Sequence, residues 1–164
     1  MGSLPGKKYL IIGLANEKSI AWGIAKALHR EGADLAFTYL NEALEKRVRP
    51  LAEELGCKNV FKCDVQSDHE ISQLFTDLGA LWSGLDGLVH AVAYAEKEDL
   101  QNRFHTITRA GFQLAMDVSA YSLIALCGKA APMLMANKGA VVTLTYLGSE
   151  KVVKNYNVMG VAKA

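Results

Sequence analysis

The stretch that decides the fold is KYLIIGLANEKSIAWGIAKALHRE, residues 8–31. Its first part, residues 8–13, is mostly apolar and ends in glycine, as a short buried strand does. Apolar residues then recur at helical spacing, at positions 20, 24, 27 and 28. Ser19 precedes them as the expected N-cap and Gly32 follows as the expected stop. A buried strand, a glycine turn and an amphipathic helix in this order are typical of a parallel α/β sheet.

The rest of the chain repeats this alternation. The pattern predicts strands at 33–39, 59–63, 88–92 and 140–146, and helices at 42–55, 67–78 and 112–135. The polar stretch 96–109 is predicted as a loop, with or without one turn of helix, and Pro132 is expected to kink or end the last of those helices. We therefore predict an α/β fold, a doubly wound parallel sheet of the Rossmann type with strand order 3-2-1-4-5. No linker or repeat divides the 164 residues, which we interpret as one dinucleotide-binding domain.

Composition and charge argue against several classes of function. The formal net charge is +1, which argues against a nucleic-acid or membrane surface as the main partner. The three cysteines form no Cys-x-x-Cys pair, so we expect small buried thiols in a reducing compartment. The four histidines lack the spacing of metal ligands, and we expect no metal. His90, at the end of a predicted strand, is interpreted as a core histidine with a hydrogen-bond partner.

The last nine residues, YNVMGVAKA (156–164), carry the candidate chemistry. Tyr156 and Lys163 are seven residues apart at the predicted start of a helix, which is almost two full turns. Both side chains should therefore lie on one helix face. A phenol beside an ammonium can donate a proton next to a nucleotide-bound hydride donor. The sequence stops one residue after Lys163, so we expect this helix to be incomplete.

The turn after the first predicted strand lies where a nucleotide fingerprint belongs. It is not Gly-x-Gly-x-x-Gly, but it opens a helix whose free amides and positive dipole end suit a pyrophosphate. Ser19 either caps that helix or contacts phosphate. Neither an acid nor a base stands at Leu40 or Asn41, which favours NADH over NADPH. Asp64, after the third predicted strand, either receives the adenine amino group or caps the following turn.

Five stretches together identify a family by resemblance. They are GLANEKSIAWGIA (13–25), FTY (37–39), CDV (63–65), TLTYLG (143–148) and NYNVMGVAKA (155–164). The chain, from Lys7 to Ala164, resembles the NADH-dependent enoyl-(acyl-carrier-protein) reductases of bacterial fatty-acid synthesis, which are of the short-chain dehydrogenase type. Ordinary short-chain dehydrogenases have their tyrosine four residues before the lysine, where this chain has Met159. The pairing of Tyr146 with Tyr156 and Lys163 is the specific part of the resemblance.

The resemblance implies an oxidoreductase of lipid metabolism. NADH would reduce the trans-2 double bond of an enoyl thioester on acyl carrier protein, with Tyr146, Tyr156 and Lys163 as catalytic residues. Tyr156 would hydrogen-bond the oxygen on which charge develops. Lys163 would hold the nicotinamide ribose, and its charge should favour the phenolate form of Tyr156. Tyr146 would face the substrate; the alternative is a strand aromatic packed under the loop.

The same resemblance assigns the binding residues. The cofactor contacts are Gly13, Ala15, Ser19, Ile20, Leu40, Asp64, Val65, Ala93 and Lys163, and the substrate contacts are Ala95, Tyr146 and Tyr156. Residues 91–95 are small and apolar, which would let a flat cofactor pass close to the backbone. The family commonly has glycine where this chain has Ala93. We therefore expect its methyl group to narrow the site or to demand a backbone angle that alanine disfavours.

The resemblance also sets expectations for the whole protein. Family members are expected to be cytoplasmic homotetramers that act on enoyl-acyl-carrier-protein, with neither nucleic acid nor membrane as a partner. They continue with two more strands and a segment that closes over substrate, so we expect a chain cut after strand five, with an exposed sheet edge and weak activity at best. The alternative function is a non-catalytic nucleotide-binding fragment or interaction module. A ketoreductase is disfavoured, since Met159 has no proton to give.

Overall fold

The fold is built on five parallel strands in one sheet. The computed structural model describes residues 2–164. The strands are β1 (Lys8–Ile12), β2 (Asp34–Tyr39), β3 (Val60–Lys62), β4 (Gly87–His90) and β5 (Ala140–Thr143), in the order β3-β2-β1-β4-β5. In this register Tyr9 pairs with Leu35 on one side and with Gly87 on the other. The predicted Rossmann-type sheet and its strand order are confirmed.

Seven α-helices connect or follow the strands within the described residues. They are α1 (Ile20–Arg30), α2 (Glu42–Glu54), α3 (Asp68–Leu81), α4 (Lys97–Gln101), α5 (Arg109–Met116), α6 (Ser122–Asn137) and α7 (Asn157–Lys163). A π-helical turn, Asp117–Tyr121, joins α5 to α6, and short 3₁₀ turns lie at Phe104–Thr106 and Leu147–Ser149. Side-chain oxygens of Asn41, Ser67 and Thr108 accept from amides three residues on and cap α2, α3 and α5.

The chain divides into two compact units. The first runs to Ala91 and takes in Ala125–Thr143, and the second consists of Val92–Ile124 and Leu144–Ala164. The first unit contains the whole sheet. Its strands bury Leu10, Ile11 and Phe37 completely, and Ile11 and Phe37 share one core with Ala25 of α1 and Val48 of α2. In the second unit α7 packs on α4, α5 and the π turn, and buries Val158, Met159 and Ala162.

Asp86, directly before β4, joins three parts of the first unit. Its carboxylate accepts hydrogen bonds from the Lys8 amide (2.9 Å), the Lys7 ammonium (2.9 Å) and the Asn137 side-chain amide (3.1 Å). Burial alone would raise the pKa of Asp86, but these three donors outweigh it and hold the pKa below its usual value. The carboxylate thus connects the starts of β1 and β4 with the end of α6.

The structure differs from the sequence predictions at three places. The predicted strand 140–146 ends at Thr143, and all four residues of β5 are exposed because β5 pairs with β4 alone. The predicted loop 96–109 contains α4 and a 3₁₀ turn. Pro132 does not end α6, which continues to Asn137. Ala130 and Leu134 on either side of it are buried, and their packing outweighs one missing hydrogen bond.

Candidate active site

Tyr156 and Lys163 stand at the two ends of α7. Tyr156 is the N-cap residue, directly before the helix, and Lys163 is the last helical residue. The predicted closing helix is therefore confirmed, although it begins at Asn157. Met159 lies between them and is 7% exposed. The methionine that stands four residues before the lysine packs inward, while Tyr156 and Lys163 are both only partly buried.

The rings of Tyr146 and Tyr156 are in contact. Their centroids are 4.9 Å apart and their planes meet at 68°, an edge-to-face arrangement. Tyr146 follows β5 and is 49% exposed, so it lies outside the strand with about half of its surface covered. Two phenols that are ten residues apart in sequence are thus brought into contact.

Two hydrogen bonds connect Lys163 with the segment after β5. Its ammonium donates to the carbonyl of Leu144 (2.8 Å), and its own carbonyl accepts from the Thr145 hydroxyl (2.7 Å). Burial lowers the pKa of the Lys163 ammonium. Since an ammonium has three N–H donors, two are left for other acceptors.

The expectation that Lys163 favours the phenolate form of Tyr156 is wrong for this structure. The pKa of Tyr156 is raised, first by burial and second by the neighbouring Tyr146. The ammonium of Lys163 instead contacts a backbone carbonyl. A raised pKa keeps the Tyr156 hydroxyl protonated at neutral pH, so it can donate a hydrogen bond but does not act as a resting base.

Two asparagines on either side of Tyr156 were not singled out from the sequence. Asn155 and Asn157 have φ of 61° and 33°, in the left-handed region that asparagine tolerates better than most residues. The Asn157 side chain also donates to the carbonyl of Asn102, at 2.6 Å. The Asn-Tyr-Asn triplet is the one sequence signal that could have indicated this sharp local turn.

A buried serine holds the segment that contains Ala93 and Ala95. The Ser119 hydroxyl accepts from the Tyr94 amide (2.9 Å) and donates to the Tyr94 carbonyl (3.0 Å). Ser119 is 4% exposed, so this pair of hydrogen bonds is largely shielded from water. Among the described residues, positive φ at non-glycine positions is confined to three others, so Ala93 does not adopt the backbone angle that alanine disfavours. That part of the expectation is wrong, and the narrowing of the site by its methyl group stays a prediction.

The predicted nucleotide residues of the first unit lie at the carboxyl ends of neighbouring strands. Gly13 follows β1 with φ of 100°, Leu40 follows β2, and Asp64 and Val65 follow β3. Because the strands are parallel and adjacent, these positions share one edge of the sheet, where nucleotides bind in open α/β sheets. The structure thus brings this part of the predicted cofactor set together.

Ser19 has a role that neither prediction anticipated. It occupies the N-cap position of α1, but its hydroxyl accepts from the amides of Ala15 (3.2 Å) and Asn16 (3.0 Å) and makes no cap bond. The side chain therefore closes the turn between β1 and α1. The first amides of α1 have no partner inside the helix and no side-chain cap, which leaves them available to an anion.

The other polar candidates keep their structural roles. Asp64 accepts from the Gln66 amide at 2.9 Å, so the turn-capping interpretation is confirmed. His90 is 1% exposed, and its Nδ1 lies 3.0 Å from the Thr143 hydroxyl, as expected of a core histidine with a partner. Burial raises the pKa of the Cys63 thiol to about 12, which makes it inert. Within residues 2–164 no three acidic, histidine or cysteine side chains are grouped as metal ligands.

One helix passes a length and composition test for a membrane span. It is the continuous stretch Arg109–Asn137, with a mean hydropathy of 1.4. Core helices of soluble proteins pass the same test, and Leu126 and Ala130 of this helix are completely buried. Length and composition therefore do not assign this helix to a membrane.

Comparison with known proteins gives a consistent result. The family model described as enoyl-(acyl carrier protein) reductase matches residues 13–164. Proteins named enoyl-(acyl-carrier-protein) reductase (NADH) FabI from Neisseria meningitidis and Aquifex aeolicus are each 54% identical over 100% of this chain. This chain covers 63% and 61% of those two relatives, so it spans about three-fifths of their length.

Solved structures agree with the sequence relatives. The crystal structure of the Aquifex aeolicus enoyl-(acyl-carrier-protein) reductase (NADH) has a TM-score of 0.96 and 53% identity, and the match covers 99% of this chain and 64% of that one. The corresponding reductase from Anaplasma phagocytophilum, solved in complex with NAD, has a TM-score of 0.95 and 48% identity, with 99% and 63% covered.

Proposed function

Since this chain belongs to the enoyl-(acyl-carrier-protein) reductase family, we propose that it uses NADH to reduce the trans-2 double bond of an enoyl thioester on acyl carrier protein, in fatty-acid elongation. The observation that carries the proposal is the contact between the rings of Tyr146 and Tyr156, with Lys163 at the end of the same helix. Two relatives that share 54% of its residues are named as NADH reductases of this type, which supports the choice of reaction and cofactor.

Tyr156 is the proposed hydrogen-bond donor of the reaction. When NADH is bound, it supplies the hydride that adds to the β-carbon of the double bond. Negative charge then develops on the thioester oxygen, and the Tyr156 hydroxyl donates a hydrogen bond to it. The raised pKa of Tyr156 suits this role because it keeps the proton on the phenol. Tyr146, in ring contact with Tyr156, is proposed to position the thioester together with Ala95.

We assign the cofactor to two groups of residues. The turn with Gly13, Ala15 and Ser19 and the first helical residue, Ile20, would take the pyrophosphate, since the first amides of α1 are uncapped. Leu40, Asp64 and Val65 would contact the adenosine half. In the second unit, Ala93 and Lys163 would contact the nicotinamide half. The ammonium of Lys163 is already oriented by the Leu144 carbonyl and has two donors left for the ribose hydroxyls.

The cofactor preference follows from the end of β2. Leu40 is 43% exposed and uncharged, and the Asn41 side chain is occupied in capping α2. Further along α2, Arg49 is paired with Glu45. Neither Leu40 nor Asn41 supplies a cation for a 2′-phosphate, which supports NADH over NADPH.

Wider properties of the protein are proposed on the same basis. Residues 1–164 would serve as a dinucleotide-binding Rossmann domain of a cytoplasmic enzyme, consistent with three free cysteines. Acyl carrier protein would present the substrate. A homotetramer is proposed because two apolar side chains, Ile124 in α6 and Val161 in α7, are 66% and 43% exposed. Exposed apolar side chains of this kind are typical of surfaces that contact another subunit.

The test follows NADH absorbance in the presence of a crotonyl thioester of acyl carrier protein. We expect oxidation by this chain and a loss of about 100-fold to 1,000-fold in kcat on Tyr156→Phe, as for removal of one oxyanion donor. Tyr121→Phe, which alters an exposed phenol at the end of the π turn, is the matched control and should keep full activity. NADH binding without turnover would support the non-catalytic alternative, and the absence of both would refute both functions.

A further inference from the structure

Gly148 lies against both tyrosine rings of the candidate site. A Cβ added to Gly148 would stand 2.7 Å from Cε1 of Tyr156 and 3.1 Å from Cδ1 of Tyr146. Carbon atoms at the first of these separations overlap, so any side chain at 148 would displace the Tyr156 ring. The edge-to-face contact of the two tyrosines therefore depends on the missing side chain at this position.

Space, and not backbone conformation, is the reason for glycine here. Positive φ among the described glycines is confined to Gly6, Gly13, Gly32 and Gly56, so alanine could adopt the backbone angles of Gly148. A substitution at 148 should therefore leave the 3₁₀ turn Leu147–Ser149 intact and act on the rings.

Gly160 of α7 provides a contrast, because a side chain there would clash with the backbone of Gly148 and not with a ring. A Cβ on Gly160 of α7 would lie 2.7 Å from the carbonyl oxygen of Gly148. A ring can rotate away from a new methyl group, whereas a backbone carbonyl moves only if the turn and α7 separate. Alanine at 148 should thus reorient a side chain, and alanine at 160 should loosen the packing of α7.

We propose that Gly148 is a positioning residue for Tyr156. By leaving room for the ring at the start of α7, it fixes where the Tyr156 hydroxyl lies relative to Tyr146. The catalytic consequence rests on the proposed reductase function, but the placement of the ring does not. Gly148 ends TLTYLG (143–148), one of the five stretches that carry the resemblance, and the contact supplies a physical reason for this last residue.

The first experiment measures the ring placement without turnover. Tyrosines labelled with ¹³C at Cζ are titrated by NMR, and the Tyr156 signal is identified by its loss in Tyr156→Phe. Burial raises the pKa of Tyr156. Gly148→Ala should push the ring outward and shift that pKa down toward the ordinary tyrosine value. Gly128→Ala in α6 is the matched control, since an added Cβ there meets nothing within 4 Å. It should leave the pKa of Tyr156 unchanged. An unchanged Tyr156 pKa in Gly148→Ala would overturn the proposal.

Melting temperatures separate positioning from a structural role. Gly148→Ala should melt within about 3 °C of the unsubstituted chain, since a loss below about 1 kcal/mol moves a domain of this size by 2–4 °C. Gly160→Ala should melt clearly lower, because two backbone segments must separate. A melting temperature for Gly148→Ala as low as that for Gly160→Ala would overturn the proposal.

The second experiment tests the catalytic consequence by a double-variant comparison. Gly148→Ala should lower kcat with crotonyl thioester about tenfold or more, with the KM for NADH unchanged within about twofold. In a Tyr156→Phe background, Gly148→Ala should not lower kcat any further, because Gly148 acts through the Tyr156 hydroxyl. If the double variant instead loses kcat by the product of the two separate losses, the proposal is overturned. If the unsubstituted chain does not oxidise NADH, the proposed function fails, and the titration alone decides the placement of the ring.

Discussion

Asp86→Ala should destabilise the first unit strongly, although Asp86 lies outside the candidate site. The Asp86 side chain is 9% exposed, and three donors from the start of β1 and the end of α6 converge on it. Truncation would leave the Lys8 amide and the Asn137 side-chain amide without their acceptor. Each bond to a charged group is worth about 1.5–3 kcal/mol. The Lys7 ammonium is 52% exposed and adds little.

Asp86→Ala should therefore lower the free energy of unfolding by about 2–4 kcal/mol. The loss is not larger because water can reach the part-buried Lys8 amide and replace its hydrogen bond in part. For a domain of this size the melting temperature should fall by about 5–15 °C, measured by circular dichroism at pH 7. The matched control is Asp77→Ala. Asp77 is exposed on α3, and its side chain accepts a hydrogen bond from the Gln73 side chain, four residues away. Asp77→Ala should therefore change the free energy of unfolding by no more than about 0.5 kcal/mol.

The pH dependence gives an independent check of the same carboxylate. The pKa of Asp86 lies below its usual value in the folded protein, so the ionised form is the one that the fold stabilises. The contribution of the Asp86 carboxylate to the free energy of unfolding is fully present above the pKa of aspartate in the unfolded chain, about 3.9. It is lost as the pH falls through the pKa of Asp86 in the folded protein. The stability difference between the unsubstituted chain and Asp86→Asn should thus narrow below about pH 4. A loss under about 1 kcal/mol for Asp86→Ala at pH 7, or a difference that stays constant into acid, would refute this reasoning.

Two further predictions concern the cofactor. Lys163→Met should weaken NADH binding about 10-fold to 100-fold in a fluorescence titration, because it removes charge-assisted donors that the Leu144 carbonyl orients. Lys154→Met, at an exposed loop position, should not change the affinity, and equal effects of the two would contradict the assignment of Lys163. Leu40→Arg should raise the affinity for NADPH relative to NADH about tenfold or more, since it places a guanidinium at the exposed end of β2. An unchanged ratio from competitive titration would show that position 40 does not face the 2′-position.

Local patterns predicted the scaffold well. Apolar runs located all five strands, and helical periodicity located α1, α2 and α3 within a few residues. A closing helix was also correctly expected, although Tyr156 precedes it as the N-cap and only Lys163 lies inside it. These features depend on residues close together in the chain, whose periodicity or capping chemistry is visible in the sequence.

Predictions failed where a residue's partner lies far along the chain or where packing overrides a local preference. The hydroxyl of Ser19 bonds the amides of Ala15 and Asn16 in place of its own helix. The Lys163 ammonium binds the Leu144 carbonyl, so it does not favour the phenolate of Tyr156. Pro132 continues a helix that a proline usually ends. The partner of Lys163 and the packing around Pro132 have no signature in the neighbouring residues, whereas Ser19 bonds amides only three and four residues away.

The sequence by itself determined the class of fold, because periodicity along the chain is visible in it, and the strand order is the usual one for that class. The family followed from the resemblance of five short stretches. Only the tertiary structure decided how the reactive groups are arranged. It placed the ring of Tyr146 edge-on against that of Tyr156, turned the Lys163 ammonium to a carbonyl, and showed that Gly148 is needed for its empty space. Distances and burial between residues remote in sequence exist only once the chain has packed, and the pKa of Tyr156 and Lys163 follow from that packing.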